Sequence, residues 1–280
     1  MLDEVFKKAS FTSVLNSDSA TIRQGANANE FLVAKLSMDG LKDYERNSGY
    51  TRGDVKMEWE TLKFNYDRGI LFQVDSMDDE ETVGLSFGRL GAEFQRTQVA
   101  PEADAFTLAT LAQETGISTK LQETAFTEGE AVLDALREAM NKMDEDEVPS
   151  EQRILFITPT LYRLASNVVT YVNKGVLDEF ASIQKVPASR MYTKIDLVDD
   201  EANGTMKGGY KKATDGKAIY FMIVHKPAVI KFDKHVASNI ITPEANQSAD
   251  AYMQKYRKYG TVDVYENKRA GIYLCQENPS

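Results

Sequence analysis

Few residues of this 280-residue chain have the types and spacing that catalysis or metal binding requires. Two acidic runs, at 78–81 (Asp-Asp-Glu-Glu) and 144–147 (Asp-Glu-Asp-Glu), could hold a divalent cation or supply a general acid and base. Consecutive carboxylates at a helix end point in different directions, however, and acidic residues in a first helical turn offset the positive end of the helix dipole. Both runs are therefore more typical of solvated helix ends than of an active site.

The other reactive side chains are isolated. The two histidines, His225 and His235, are ten residues apart around a predicted strand, and the single cysteine, Cys275, lies in an apolar terminal strand. Neither setting indicates a metal ligand or an activated thiol. The motifs of serine hydrolases, phosphate-binding loops and zinc proteases do not occur in the sequence. The sequence therefore predicts no enzyme: no catalytic residue, no metal site and no cofactor.

The composition argues against membrane, secreted and nucleic-acid-binding classes. No apolar run approaches the ~20 residues that a membrane-spanning helix needs, and one cysteine excludes an internal disulfide framework. The net charge is −10, whereas proteins that bind nucleic acid neutralise phosphates with clustered Lys and Arg. The densest basic stretch, 207–217, holds four lysines among three glycines, which favours a solvated loop over a phosphate site.

The elements that could position functional residues begin with a long two-stranded ribbon at 30–75. Residues 31–36 form a strand-like run, and 47–54 form a turn-rich tip. The second strand alternates apolar with charged residues, as a strand with one covered face does; its apolar-side members are Val55, Met57, Trp59 and Thr61. After Thr61 the apolar phase slips by one residue, which predicts a β-bulge or a short loop.

Such a ribbon needs a cover. An isolated two-stranded ribbon is marginal in water, and burying one large apolar side chain contributes roughly 1.5–3 kcal/mol. Either the rest of the same chain covers the apolar face, or a neighbouring subunit does. The sequence pattern leaves both alternatives open.

A long helix is predicted next, from an apolar stripe that runs from Val83 to Phe94 at helical spacing. Three glycines lie on a different face of this helix: Gly84, Gly88 and Gly91. Because each glycine costs a helix about 1 kcal/mol relative to alanine, we expect another backbone to pack closely there. Pro101 marks a predicted break before a second helical stretch at 102–111.

The rest of the chain alternates helical and strand signals. Residues 127–130 form a capping-box pattern with threonine at the cap, ahead of a helical apolar stripe. Residues 154–157 predict a buried strand, Pro159 a helix start, and 225–228 the turn of a hairpin. The predicted fold class is mixed α+β with one projecting ribbon.

Residues 1–29 are polar with scattered apolar residues, so they predict either a frayed tail or an extended arm that lies along a neighbour.

The order of these features resembles the major capsid protein of tailed bacteriophages. No single stretch is diagnostic, but seven of them occur in the order that the family shows. They are 67–75, 78–82, 98–105, 153–159, 189–192, 243–251 and 266–273.

The resemblance implies a division of the chain into regions. Residues 1–29 would be the N-terminal arm and 30–75 an extended β-hairpin loop that reaches over the adjacent subunit. Residues 76–126 would form a peripheral domain with a spine helix, 127–242 an axial domain near the five-fold and six-fold positions, and 243–280 strands that return to the peripheral domain.

The resemblance also implies function and partners. The chain would self-assemble as pentamers and hexamers into an icosahedral shell, enclose double-stranded DNA without binding it specifically, and contact a portal protein but no membrane. A separate scaffolding protein is expected, because the chain begins directly at the arm. The expected location is the virion, after assembly in the host bacterial cytoplasm.

Two sets of site residues follow from this assignment. Contact with the adjacent subunit is expected from residues of the extended loop, namely Tyr50, Arg52, Trp59, Phe64, Tyr66 and Arg68. Close packing of the spine helix is expected at Gly84, Gly88 and Gly91.

Two rival functions remain. An encapsulin-like nanocompartment shell has the same fold but encloses protein cargo. A soluble carboxylate-dependent enzyme would use the acidic runs, and it predicts a small oligomer with a concave polar pocket.

Overall fold

The structure is a computed structural model, and it describes residues 10–17, 22–24, 29–47, 49–77, 91–168, 175–199 and 208–278. The predicted stripe and glycines between 83 and 90, the acidic run at 78–81 and Lys207 lie outside these residues. None of the described helices is long and apolar enough to cross a membrane.

Four of the described strands precede the α-helices, two lie between them and seven follow them. The strands are β1 (Ile22–Gln24), β2 (Glu30–Met38), β3 (Val55–Lys63), β4 (Tyr66–Asp75), β5 (Ser118–Gln122), β6 (Arg153–Ile157), β7 (Ser182–Lys185), β8 (Ile195–Leu197), β9 (Tyr210–Lys212), β10 (Ile219–His225), β11 (Val229–Ile241), β12 (Ala251–Val264) and β13 (Ile272–Glu277). The α-helices are α1 (Ala100–Gln113), α2 (Gly129–Glu145), α3 (Pro159–Asn167) and α4 (Gly175–Asp178). Short 3-10 turns lie at Thr12–Leu15, Ala188–Arg190, Lys226–Ala228, Pro243–Ala245 and Glu266–Gly271, and a π-helical turn lies at Gln95–Val99.

A five-stranded mixed sheet in the order β5-β13-β10-β6-β7 forms the centre of the molecule. Both faces are buried, so β6 is apolar without alternation, as the run at 154–157 predicts. Helices α2 and α3 cover one face, and the N-terminal segment with α1 covers the other.

Helix α2 confirms the predicted stripe, because Val132, Leu136, Met140 and Met143 are all buried. The predicted capping box is wrong. The N-cap is Glu128 rather than Thr127, and no side chain caps the helix. A Cβ added to Gly129 would lie 2.1 Å from the carbonyl oxygen of Leu164, so close backbone packing on α3 coincides with the helix start.

The predicted break at Pro101 is also wrong. Helical structure runs from residue 91 through the π-helical turn and continues as α1. Proline lacks an N–H and its ring clashes with the carbonyl four residues earlier in a regular α-helix. The wider π turn directly before Pro101 changes that spacing, so the chain passes through the proline without ending the helix.

A second sheet, in the order β11-β12-β4, packs against this helix, where Phe94 contacts both Phe72 and Tyr256. Of the two alternatives predicted for the apolar slip after Thr61, the short loop agrees with the structure: a short connection at 64–65 ends the ribbon, and the pairing of β2 with β3 has no register shift that would mark a bulge. β3 ends at Lys63, and β4 begins three residues later in this other sheet. The side chain of Asn65 secures the crossing, since its amide group bonds both the N–H and the C=O of Val262 at 3.1 and 2.7 Å.

The predicted hairpin at 225–228 is wrong, because β10 and β11 belong to different sheets. The backbone of the connecting turn bonds to distant segments: Lys226 N–H donates to Gln152 C=O at 3.1 Å, and Tyr265 N–H donates to Ala228 C=O at 3.0 Å. The turn therefore carries the chain from one sheet to the other instead of reversing it.

Candidate interaction surface

The ribbon formed by β2 and β3 has one apolar and one polar face. The prediction of two strands is wrong at its base, where β1 pairs with β2 from Ile22 opposite Val33 to Gln24 opposite Phe31. Strands β2 and β3 pair antiparallel from Glu30 opposite Lys63 to Met38 opposite Val55. Because side chains alternate across a strand, this register places one apolar set on a single face. Its members are Leu32, Ala34, Leu36, Met38, Val55, Met57 and Trp59, with Thr61 beside Leu32. Beyond the base of the ribbon, the opposite face carries Lys35, Ser37, Lys56, Glu58 and Glu60.

The outer part of the apolar face is uncovered. Val55 is 71% exposed, Met38 66%, Met57 62% and Trp59 38%. Exposed apolar residues scattered singly are ordinary, but a continuous apolar stripe along a projecting ribbon is typical of an interaction surface. Of the two alternatives that the sequence pattern left open, cover by the same chain and cover by a neighbour, the described part of the chain does not supply the first for these four side chains.

The tip of the ribbon has internal order. The rings of Tyr44 and Tyr50 lie 4.9 Å apart, and Asp39 bonds both Lys42 Nζ at 2.9 Å and the Asp54 N–H at 3.1 Å. Gly49 has φ +79°, which favours glycine in the turn. Tyr50 is 90% exposed, so the tip presents an aromatic side chain to its surroundings.

An aromatic cluster anchors the base of the ribbon. Phe31 and Phe64 are 5.1 Å apart, both contact Phe232, and Phe64 also lies 4.7 Å from Tyr259. Lys35 forms an ion pair with Glu266 beside this cluster. The ribbon is thus anchored at its base, and its outer half is exposed.

The six predicted contact residues divide into two groups. Tyr50, Arg52 and Trp59 are exposed on the outer ribbon, as expected for contact residues. Phe64 belongs to the anchoring cluster, and Tyr66 and Arg68 follow the ribbon on β4.

Tyr66 and Arg68 have partners within the chain, and their contact with an adjacent subunit remains a prediction. The Tyr66 hydroxyl donates to Glu102 Oε1 at 3.0 Å, and burial beside that carboxylate raises the pKa of Tyr66. Arg68 Nε bonds the same oxygen at 3.0 Å, and its Nη2 donates to the Val198 carbonyl at 2.8 Å. These bonds join β4 to helix α1 and to Val198, the residue that follows β8.

Of the three predicted helix-packing glycines, the structure describes Gly91. A Cβ there would lie 2.3 Å from Nε2 of the buried Gln254 on β12. Close packing at Gly91 is therefore present, against a side chain rather than a backbone. Gly84 and Gly88 lie outside the described residues, so their packing remains a prediction.

A buried polar network ties residues 10–17 to the body, and sequence reasoning did not find it. Both carboxylate oxygens of Asp104 on α1 are bonded. Oδ1 accepts from Ser10 Oγ, Thr12 N and Thr12 Oγ1 at 2.6–3.0 Å, and Oδ2 accepts from Phe11 N at 2.9 Å and Arg190 Nη1 at 2.8 Å. Phe11 and Leu15 fill the core beside α1. For the described part of the N-terminal arm, the contacts are with its own chain.

Lys231 on β11 completes this network, which we call the Asp104 network. Its ammonium group donates to the carbonyl oxygen of Thr12 at 2.9 Å and to Thr12 Oγ1 at 2.6 Å. Burial lowers the pKa of Lys231 to about 8, although the Asp104 carboxylate opposes that shift. Sequence alone offers no signal for these pairs, because their members lie about 90 to 220 residues apart.

The described reactive groups do not assemble into a catalytic constellation. No three His, Cys, Asp or Glu side chains among the described residues are arranged to hold a metal ion. In the run at 144–147, Asp144 pairs with Arg153 at 2.6 Å and Asp146 with Lys142 at 2.5 Å. Burial raises the pKa of Cys275 to about 12, which leaves its thiol protonated and unreactive at neutral pH.

No protein-family model matches this sequence, and no curated protein matches it either. Solved structures do match. The mature capsid of bacteriophage PhiM1 superposes with a TM-score of 0.67 at 13% identity, covering 100% of this chain and 90% of that one. The capsid of Cyanophage P-SCSP1u gives 0.63 at 14% identity, with 100% and 91% covered. A virus-like particle from Pyrococcus furiosus gives 0.55 at 11% identity, with 95% of each chain covered. The fold predicted from the sequence is thereby confirmed: this chain has the α+β fold of tailed-phage capsid structures.

Proposed function

We propose that this chain is the structural subunit of an icosahedral shell that encloses the double-stranded DNA of a tailed bacteriophage. The uncovered apolar face of the ribbon is the observation that carries the proposal, since it needs a partner molecule to cover it. The likeness to capsid structures over the whole length of the chain supports a neighbouring copy as that partner.

A ribbon that covers the next copy makes a head-to-tail contact, and head-to-tail contacts close into rings when the rotation permits. Rings of five and six copies build a closed shell. The outer ribbon residues Tyr50, Arg52 and Trp59 would contact the neighbour, and the anchoring cluster at Phe31 and Phe64 would hold the ribbon at a fixed angle. In this role the chain acts through assembly and is not an enzyme.

The finer partners follow the same proposal. A scaffolding protein would guide assembly, a portal protein would occupy one vertex, and the shell would form in the host cytoplasm and persist in the virion. The net charge of −10 suits a container that does not hold its DNA by neutralising phosphates. A strongly basic inner surface in an assembled shell would contradict this last point.

The rival functions receive less support. The virus-like particle from Pyrococcus furiosus matches with a TM-score of 0.55, which is below the 0.67 of the PhiM1 capsid. The enzyme alternative depended on the acidic runs, and in the run at 144–147 Asp144 pairs with Arg153 and Asp146 pairs with Lys142.

Electron microscopy of negatively stained particles tests the proposal directly. The full-length chain is expressed alone and together with the proteins encoded beside it. We expect closed shells built of pentamers and hexamers in at least one of the two preparations. If both preparations contain a monomer or a small oligomer and no shells, the proposed function is contradicted. Genes for a portal and a terminase beside this one would favour the phage shell over a nanocompartment.

A further inference from the structure

All three strands of the second sheet change at the level where the ribbon leaves it. β4 pairs with β12 as far as Tyr66 opposite Gly260, and the pairing ends there. At the same level the register between β11 and β12 shifts between Asp233 and His235, which marks a bulge. A Cβ added to Gly260 would lie 2.8 Å from the carbonyl oxygen of Phe232, so the two strands approach closely here. The regular pairing of the sheet therefore ends next to the base of the ribbon.

Asn65 continues the pairing of β4 with β12 beyond its last backbone pair, through its side chain. Its Nδ2 donates to the Val262 carbonyl oxygen at 2.7 Å, and its Oδ1 accepts from the Val262 N–H at 3.1 Å. A side-chain amide has both donors and an acceptor, so it can bond the N–H and the C=O of one strand residue as a residue of a paired strand does. The backbone meanwhile turns into the ribbon, where the Phe64 N–H donates to the Asn29 carbonyl oxygen at 3.1 Å.

The other contacts described between the base of the ribbon and the body are less directional. The aromatic cluster around Phe31 and Phe64 buries apolar surface, and the hydrophobic effect has no preferred direction. The ion pair between Lys35 and Glu266 is partly exposed, and such pairs contribute little. Hydrogen bonds weaken steeply when they are bent. Two of them to a single residue therefore restrict both the position and the rotation of the chain at Asn65.

We propose that Asn65 is the positioning residue that sets the direction of the ribbon relative to the second sheet. A small change at this junction becomes large at the tip. β2 has nine residues. At about 3.3 Å per residue the tip lies about 30 Å from the base, so a rotation of about 10° moves it by about 5 Å. The two bonds of Asn65 thus decide where the apolar face of the ribbon is presented. This inference concerns the geometry of one chain and does not depend on the proposed function.

Asn65→Ala tests the proposal in the unassembled chain, isolated by size-exclusion chromatography. Spin labels on Arg52→Cys at the tip and on Asn141→Cys in α2 report the distribution of tip-to-body distances in pulsed electron paramagnetic resonance. Both positions are exposed, whereas the native Cys275 is buried and its raised pKa keeps the thiol protonated, so the labels attach to the introduced cysteines. We expect Asn65→Ala to broaden the distribution or to shift its mean by about 5 Å.

Asn246→Ala is the matched control, because Asn246 lies in the turn at the other end of the same sheet. Its amide group also bonds two backbone groups, the Ala251 carbonyl oxygen at 3.0 Å and the Ser248 N–H at 3.1 Å. This variant loses the same kind of bonds as Asn65→Ala but far from the ribbon. We expect its distance distribution to match that of the wild type.

Asn65→Asp is the second variant, for the case in which circular dichroism shows that Asn65→Ala does not fold. Aspartate keeps the shape and the acceptor, but it loses the N–H donors and places a carboxylate against the Val262 carbonyl oxygen. We expect it to change the distribution in the same way. An unchanged distribution in the folded variants, or an equal change in Asn246→Ala, would overturn the proposal. If neither variant of Asn65 folds, the proposal also fails, because the bonds then maintain the sheet rather than the direction of the ribbon.

Discussion

Arg190 Nη1 lies 2.8 Å from Asp104 Oδ2, and the exposed fractions of the two side chains are 5% and 0%. The pair joins helix α1 to the turn at Ala188–Arg190, and the remaining bonds of the carboxylate hold Phe11 and Thr12. A buried ion pair is weak evidence of net stabilisation, but breaking it leaves an uncompensated charge. The packing of residues 10–12 on the body therefore depends on the carboxylate of Asp104.

We expect Asp104→Asn to destabilise the unassembled chain by about 3–5 kcal/mol in urea denaturation. The amide group cannot accept all the bonds that the carboxylate accepts, and the buried charge of Arg190 loses the negative charge of Asp104. The matched control is Asp67→Asn, which removes an exposed ion pair with Arg257 on the second sheet. The control should lower the free energy of unfolding far less. Equal losses for the two variants would show that the Asp104 network stabilises the chain no more than an exposed ion pair does.

Two substitutions introduce the same charge on opposite faces of the ribbon. Met57→Glu places a charge on the uncovered apolar face, and Ser37→Glu places the same charge on the polar face one position away in the register. We expect Met57→Glu to raise the concentration needed for shell assembly at least about tenfold, since losing roughly 1.5–3 kcal/mol of apolar burial changes an equilibrium by that much or more.

Light scattering during assembly measures this concentration, and circular dichroism checks that both variants fold. Ser37→Glu should assemble close to the wild type, because it faces Lys56 across the ribbon. If both variants assemble normally, the apolar face is not the contact surface. If Met57→Glu unfolds the chain, the ribbon is part of the subunit's own core.

The buried amino group of Lys231 makes stability depend on alkaline pH. Its pKa falls from 10.5 to about 8 on folding, so between these values the unfolded chain binds one more proton than the folded chain. Stability therefore rises with pH across this window, by up to about 1.4 kcal/mol per pH unit.

The buried thiol of Cys275 acts in the opposite direction above pH 9, because burial raises its pKa from 9.0 to about 12. The test is therefore the difference in unfolding free energy between the wild type and Lys231→Met, which cancels the thiol. We expect this difference to shift in favour of the wild type as the pH rises from 8 to 10. A difference that stays flat would show that Lys231 titrates at its ordinary value.

Glu147 follows helix α2 with φ 57°, a conformation that glycine adopts without strain. Its N–H donates to the Asp144 carbonyl at 3.0 Å, and the Val148 N–H donates to the Met143 carbonyl at 2.9 Å, so the helix end depends on this turn. We expect Glu147→Gly to be more stable than Glu145→Gly by about 1 kcal/mol or more in thermal unfolding. Glu145 is the matched control, since it is exposed and occupies the last helical position. The reverse order would contradict the expectation.

Local patterns in the sequence predicted the elements whose environment is uniform along their length. The alternation at Val55, Met57 and Trp59 predicted a strand with one apolar face, and the run at 154–157 predicted a strand buried on both faces. The stripe through α2 predicted a buried helical face. Side chains repeat every two residues along a strand and every 3.6 residues along an α-helix. A short stretch of sequence is enough to show either period.

The sheet to which each strand belongs depends on tertiary structure. The slip near Thr61 has two local interpretations, a bulge or a short loop, and the turn at 225–228 has one, a hairpin; none of them says which sheet the next strand joins. The crossing at Asn65 depends instead on bonds to Val262, and the turn at Lys226–Ala228 depends on Gln152 and Tyr265. Partners so distant in sequence leave no mark on local periodicity.

The sequence by itself predicted that few residues are suited to catalysis, that the ribbon has an apolar face, and that the order of the elements resembles that of tailed-phage capsid proteins. Only the tertiary structure decided that the ribbon's apolar face stays uncovered, that the helix passes through Pro101, and that Asp104 is a buried anchor rather than an ordinary helical acid. The physical reason is the range of the interactions: hydrophobic periodicity is a property of neighbours in sequence, whereas burial of a charge depends on which distant segments close over it.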